Sequence, residues 1–189
     1  MRRAFSNILL CSFMFFASPV FAATYLVDAS HTYPSFEIDH LGFSIQRGQF
    51  DETSGLVEID PTAQTGRIEI QVQTASLDTG HAARDEILKG SSWFDTAQFP
   101  TMTYHSQRFL FTGSQLTAVE GELTLRGITR PLKLEIVRSK CGLNLAARKR
   151  GCGAEASGAL RRSEFGITNG LPFVGDEVRL RIQIEAYAE

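Results

Sequence analysis

Between Gly121 and Ile136 the chain reads Gly-Glu-Leu-Thr-Leu-Arg-Gly-Ile-Thr-Arg-Pro-Leu-Lys-Leu-Glu-Ile, two alternating arms around one short turn. Period-two alternation puts Leu123 and Leu125 of the first arm, and Leu132, Leu134 and Ile136 of the second, on one face. Glu122, Thr124, Lys133 and Glu135 take the other. The segment is predicted to be a β-hairpin with one dry and one wet face. Such arms repeated around a closed sheet make a barrel with an apolar interior, and that interior is where a function is to be sought.

The alternation recurs along the chain. Phe36 and Ile38 share a face in Ser35–His40, as do Ile68, Ile70 and Val72 in Arg67–Gln73. Further strands are expected over 56–60, 101–110, 116–125, 132–138, 154–160 and 178–186, with Gly42, Gly48, Gly55, Gly66, Gly113 and Gly127 at turns or bulges. One stretch departs from this. From His81 to Phe94 the apolar positions Ala83, Ile87 and Leu88 follow helical spacing, with Asp78 and Thr79 upstream as candidate caps and Gly90 as a stop. Trp93, Phe94 and Phe99 then suit an apolar plug over one end of a barrel, as core seal or as ligand contact. The pattern predicts an all-β, antiparallel barrel of about eight strands, drawn from eight to ten candidates, with a short helix near one opening.

The first 22 residues read as a secretion signal. Arg2 and Arg3 precede an apolar run from Ile8 to Val20 that is too short for a bilayer span, and Val20-Phe21-Ala22 fits a cleavage site. Lipid attachment at Cys11 is disfavoured by the bulky Leu10 before it. Residues 23–189 then form one domain, exported to the periplasm, with secretion from the cell as the alternative. Loss of Arg2 and Arg3 leaves 17 basic against 21 acidic residues, a net charge of −4. That balance gives no general footprint for nucleic acid or for an anionic membrane. Arg148-Lys149-Arg150 and Arg161-Arg162 read as solvated loop and strand-end charges. Cys141 and Cys152 are expected to pair in an oxidising compartment, as a staple across two neighbouring strands stabilising by about 3 kcal/mol on the chain-entropy estimate.

Motifs of catalysis are weak. There is no Gly-x-Ser-x-Gly elbow, His-Glu-x-x-His pair or phosphate-binding glycine loop, and no cofactor is signalled. His31, His40, His81 and His105 are scattered, which favours structural histidines over a metal site. Arg84 with Asp85, and Asp28 with His31, offer acid–base pairs, against a reading in which the carboxylates accept hydrogen bonds from loop backbone.

Taken in order, Tyr25-Leu-Val-Asp28, His31, Phe36, His40-Leu41-Gly42, Gly48-Gln-Phe50, Ser54-Gly55, Ile59-Asp60, Leu77-Asp78-Thr79-Gly80, Arg84-Asp85, Leu88 and Phe94 resemble the YceI-like family of periplasmic proteins. Phe99-Pro100, Gly121 to Pro131, Arg162-Ser-Glu-Phe-Gly166 and Gly175-Asp-Glu-Val178 continue the likeness across nearly all of residues 23–189. The resemblance implies a lipocalin-like barrel whose elongated pore holds a polyisoprenoid or similar long lipid, without enzymatic activity, in isoprenoid quinone handling or envelope stress. Cys141, Cys152 and the basic residues between them depart from the shared pattern.

Three functions follow as expectations. A carrier would line its pore with Phe36, Ile38, Phe43, Phe50, Ile70, Val72, Phe94, Met102, Tyr104, Leu123, Leu134, Phe165 and Ile182, and its polar mouth with His40, His81, Arg84 and Asp85. Burying about ten methylene-sized carbons at roughly 0.8 kcal/mol each reaches micromolar affinity before ordering costs. An enzyme acting on a lipid or quinone ester would place His40 or His81 beside a carboxylate. An interaction module would have a barrel filled by its own side chains. A membrane cytochrome or other quinone-using envelope protein, and a second copy of the chain, are the candidate protein partners.

Overall fold

The computed structural model describes residues 23–60 and 62–188. The predicted signal segment and Cys11 lie outside the described residues. The strands are β1 (Ala23–Val27), β2 (Tyr33–His40), β3 (Ser44–Phe50), β4 (Thr53–Asp60), β5 (Thr65–Gln73), β6 (Leu77–Asp78), β7 (Thr101–Thr112), β8 (Gln115–Leu125), β9 (Ile128–Asn144), β10 (Lys149–Arg161) and β11 (Val174–Ala188), and the helix α1 is Ala82–Lys89. Every pairing is antiparallel. Eight strands close a barrel in the order β1, β4, β5, β7, β8, β9, β10, β11, with β11 returning to β1.

The hairpin that opened the sequence is β8–β9, in register from Leu125↔Ile128 to Ala118↔Glu135. Arg126 and Gly127 connect it, both at positive φ (51° and 71°), which is the two-residue geometry that matches strand twist. Leu123, Leu125, Leu132 and Leu134 are buried on its inner face, as expected.

Beside β11 the partner strand breaks in two. β1 follows β11 from Tyr25↔Ala188 to Val27↔Ala186, and β2 resumes with Tyr33↔Gln183. A single 3-10 turn, Ala29–His31, fills the break. Asp28 caps it, accepting from the Ser30 N–H at 3.0 Å and from the Ser30 hydroxyl at 2.6 Å. Thr32, fully buried, stands in for the lost ladder: its hydroxyl donates to the Glu185 carbonyl and accepts from the Glu185 N–H at 3.1 Å. β2, β3 and β6 extend the sheet from this break, and β6 leads into α1.

The helix stops at Gly90 as expected, but its cap is His81, whose Nδ1 accepts from the Arg84 N–H at 3.3 Å. Asp78 instead closes a turn by accepting from the Gly80 N–H, and Thr79 is held by Asp85. Those two carry short polar side chains suited to capping, yet they stand four and three residues ahead of the first helical position, Asp78 held in β6 against β3 and Thr79 just after it.

Candidate functional site

The barrel encloses a cavity of about 870 Å³. Its wall follows from the alternation: Val57 and Ile59 of β4, Ile68, Ile70 and Val72 of β5, Met102 and Tyr104 of β7, Leu132, Leu134 and Ile136 of β9, and Leu180, Ile182 and Ile184 of β11 all line it. The space exists because β10 contributes alanines where its neighbours contribute branched residues. Ala156 stands opposite both Ile136 and Ile182, and Ala154 opposite Ile184.

At one end the aromatics form a plug. Phe50 and Phe94 meet edge to face at 5.4 Å between centroids, and Phe36 lies 6.1 Å and 6.4 Å from them. Trp93 lies beneath the Arg162 guanidinium at 5.1 Å. Arg162 is itself buried and donates to the carbonyls of Gly175, Ile167, Asn169 and Val174 at 2.7–2.9 Å, which ties down the loop before β11. Burial pushes its guanidinium below the usual arginine range, with Asp176 opposing the shift.

A polar group lies beside this plug. Arg84 donates to the Thr79 hydroxyl at 2.8 Å, to the Thr79 carbonyl at 2.7 Å and to Gln46 Oε1 at 2.5 Å, and these side chains line the cavity with His40. The opposite end is bounded by Ser114, Gln115, Ser139, Lys140 and the bridged Cys141 and Cys152. The two cysteines face each other in register on β9 and β10. The charged lining residues Arg47, Arg84, Lys140 and Arg162 are all cationic, and no aspartate or glutamate lines the cavity among the described residues.

Of the residues expected to line a pore, Phe36, Ile38, Phe50, Ile70, Val72, Phe94, Met102, Tyr104, Leu123, Leu134 and Ile182 border the cavity. Tyr104 donates to the Val119 carbonyl at 3.2 Å, and burial pushes its hydroxyl well above the usual tyrosine range. Phe43 does not reach the cavity. It is 91% exposed, because the turn through Leu41 and Gly42, both at positive φ, carries it to the hairpin tip. Phe165 is buried in the core cluster and does not border the cavity. Of the expected mouth residues, His40 and Arg84 line the cavity, whereas His81 is spent on the helix cap and Asp85 is buried under the Thr79 backbone N–H at 3.0 Å.

Neither expected acid–base pair is arranged for chemistry. Asp85 accepts from Thr79, and Arg84 turns to Thr79 and Gln46. Asp28 binds His31 Nδ1 at 2.8 Å on the outer surface, within the turn it caps. Sequence reasoning missed the alanines of β10 and the inward Gln46 of β3. The first carry no apolar signal of their own, and the second breaks the apolar alternation.

A family model described as YceI-like domain matches residues 25–186. The chain is 35% identical to the UPF0312 protein of Enterobacter sp. (strain 638), over 98% of this chain and 97% of the relative. Among solved structures it is similar to BcnA of Burkholderia cenocepacia, with a TM-score of 0.73 and 24% identity over 85% of this chain and 99% of that one. It is also similar to a polyisoprenoid binding domain from Saccharophagus degradans, with a TM-score of 0.65 and 18% identity over 89% and 99% of the two chains. At these identities the structural neighbours speak for the fold.

Proposed function

The chain belongs to the YceI-like family, and on that premise we propose that its barrel binds one polyisoprenoid or similar long-chain lipid, without catalysis, and stores or carries it in the cell envelope. The observation that carries this reading is the cavity of about 870 Å³ walled by aliphatic and aromatic side chains, which its own residues leave open. A solid barrel serving as an interaction module would have filled it. The structural neighbour from Saccharophagus degradans, named as a polyisoprenoid binding domain, supports the same ligand class.

Dimensions favour a chain over a compact ligand. His40 pairs with Val174 at one end of β11 and Cys152 with Ala186 at the other. From Val174 to Ala186, about twelve rises of strand tilted by about 40° span roughly 30 Å along the barrel axis. Spread over that length, a cavity of about 870 Å³ is long and narrow, the shape of an extended chain. Transfer of the chain from water contributes about 0.8 kcal/mol per buried methylene, before the costs of ordering.

The absence of a lining carboxylate among the described residues leaves His40 without an acid–base partner and speaks against ester chemistry at the wall. Storage and delivery, the periplasm as the place, and a quinone-using envelope protein as the receiver belong to this reading.

The experiment is native mass spectrometry of the purified protein titrated with geranylgeraniol and with longer polyprenols. One chain per barrel, with affinity rising with length until the lumen is full, is expected. Indifference to length, or no complex, would refute the reading.

A further inference from the structure

The hairpin β9–β10 outgrows the barrel. β8 accompanies β9 only from Ile128 to Glu135, so the arm from Ile136 to Asn144 projects past that rim. On the other side the ladder to β11 reaches Gly151↔Tyr187. Cys141 and Cys152 clamp the two arms face to face where they leave the lumen, and both line the cavity, as do Ser139 and Lys140 beside them.

Around and beyond the clamp the composition changes. Five cationic residues, Arg138, Lys140, Arg148, Lys149 and Arg150, and no acidic one lie between Arg138 and Gly153. Arg138 is paired with Glu155, and among the described residues the other four enter no ion pair. Leu143 and Leu145 stand 63% and 80% exposed at the tip. Leu143 is paired with Arg150, two residues along each arm from the clamped cysteines, so it extends the face that points into the lumen. Exposed leucines among unpaired cations, on a disulfide-clamped hairpin, have the composition of an element that lies in the headgroup region of a bilayer. The chain's overall acidity does not oppose this, because the fold concentrates the positive charge at one tip.

We propose that this clamped hairpin is a membrane-contact finger for anionic bilayers. Lys140, Arg148, Lys149 and Arg150 meet lipid phosphates, Leu143 and Leu145 enter the headgroup boundary, and the lumen end at Cys141 and Cys152 is thereby set against the lipid surface. Docking rests on the hairpin alone. Passage of a lipid along its inner face rests in addition on the lipid-carrier reading of the lumen.

The test is flotation of the full mature chain with vesicles of 70% phosphatidylcholine and 30% phosphatidylglycerol, beside vesicles of phosphatidylcholine alone. Each surface cation is worth about fivefold in partition at low salt. Arg148→Gln/Lys149→Gln/Arg150→Gln is therefore expected to lose at least tenfold, and Leu143→Ser/Leu145→Ser severalfold, with thermal unfolding unchanged in both. Salt at 0.5 M, as a screening condition, should release the wild-type chain. Equal partition of the wild type and the triple variant, or no partition of the wild type to the anionic vesicles, overturns the finger whatever the lumen holds. A wild type that docks while its lumen takes no polyprenol keeps the finger and refutes the carrier.

Discussion

Gly48 lies directly beneath the ring of Phe36: a Cβ built on Gly48 would stand 2.5 Å from Phe36 Cζ. The two residues are register partners on β3 and β2, and the bare backbone of one gives the other room to lie across the strand toward Phe50 and Phe94. Gly48→Ala must push the ring off this aromatic cluster, at a cost of about 1–3 kcal/mol. Urea unfolding measures it. The double variant Gly48→Ala/Phe36→Leu should cost less than the sum of its parts.

Ala156 faces the lumen between Ile136 and Ile182. Ala156 is also buried in the core cluster, so Phe there must reach past Ile136 and Ile182 into the lumen, at a cost of about 1–3 kcal/mol in stability. Binding should suffer more. Displacement of an apolar fluorophore by geranylgeraniol is expected to weaken at least tenfold, and an unchanged displacement curve would exclude Ala156 from the ligand's path.

Arg162 satisfies four carbonyls while buried, those of Ile167 and Asn169 in the loop and of Val174 and Gly175 at the start of β11. Arg162→Met leaves those acceptors without a donor and should cost about 3 kcal/mol or more in denaturant unfolding. Arg162→Lys should recover little, because an ammonium cannot reproduce the planar fork.

The Asp28–His31 clasp makes the turn between β1 and β2 pH-dependent. The Ser30 hydroxyl first, and then His31, hold the Asp28 carboxyl below its ordinary value, while the bond to Asp28 holds His31 above its own. For Asp28 the stabilisation is present above the unfolded pKa of 3.8 and is lost as pH falls through the lowered folded value. For His31 it is fully present below 6.5 and is lost as pH rises through the raised folded value. The clasp is therefore tightest between about pH 4 and 6.5. Amide exchange at Ser30 and His31, corrected for its intrinsic pH dependence, should show greatest protection there. A flat profile, or one unaltered by His31→Gln, would contradict the coupling.

The barrel was legible because most strands bury one face. Leu123, Leu125, Leu132 and Leu134 announce the hairpin, and Ile68, Ile70 and Val72 announce β5, since each inward position had to be apolar. β3 was not legible for the same reason inverted. Of its inward positions Gln46, Gly48 and Phe50, the first holds Arg84 and the second makes room for Phe36, so only Phe50 is apolar and no alternation shows where β3 serves its neighbours. β1 is too short, at five residues, to show a period. Phe43 was misplaced because a positive-φ turn resets the phase between β2 and β3, which composition does not record. The lumen's volume was hidden as well, for it depends on Ala154 and Ala156, and small residues mark a space only once their neighbours are known.

The central claim is that the lumen carries a long lipid, and mass spectrometry of the organic extract of protein purified from its native host tests it most directly. The account predicts one polyisoprenoid or similar long-chain lipid per barrel, lost from Ala156→Phe. A native protein that yields no such lipid, or an Ala156→Phe variant that retains it, would contradict the account.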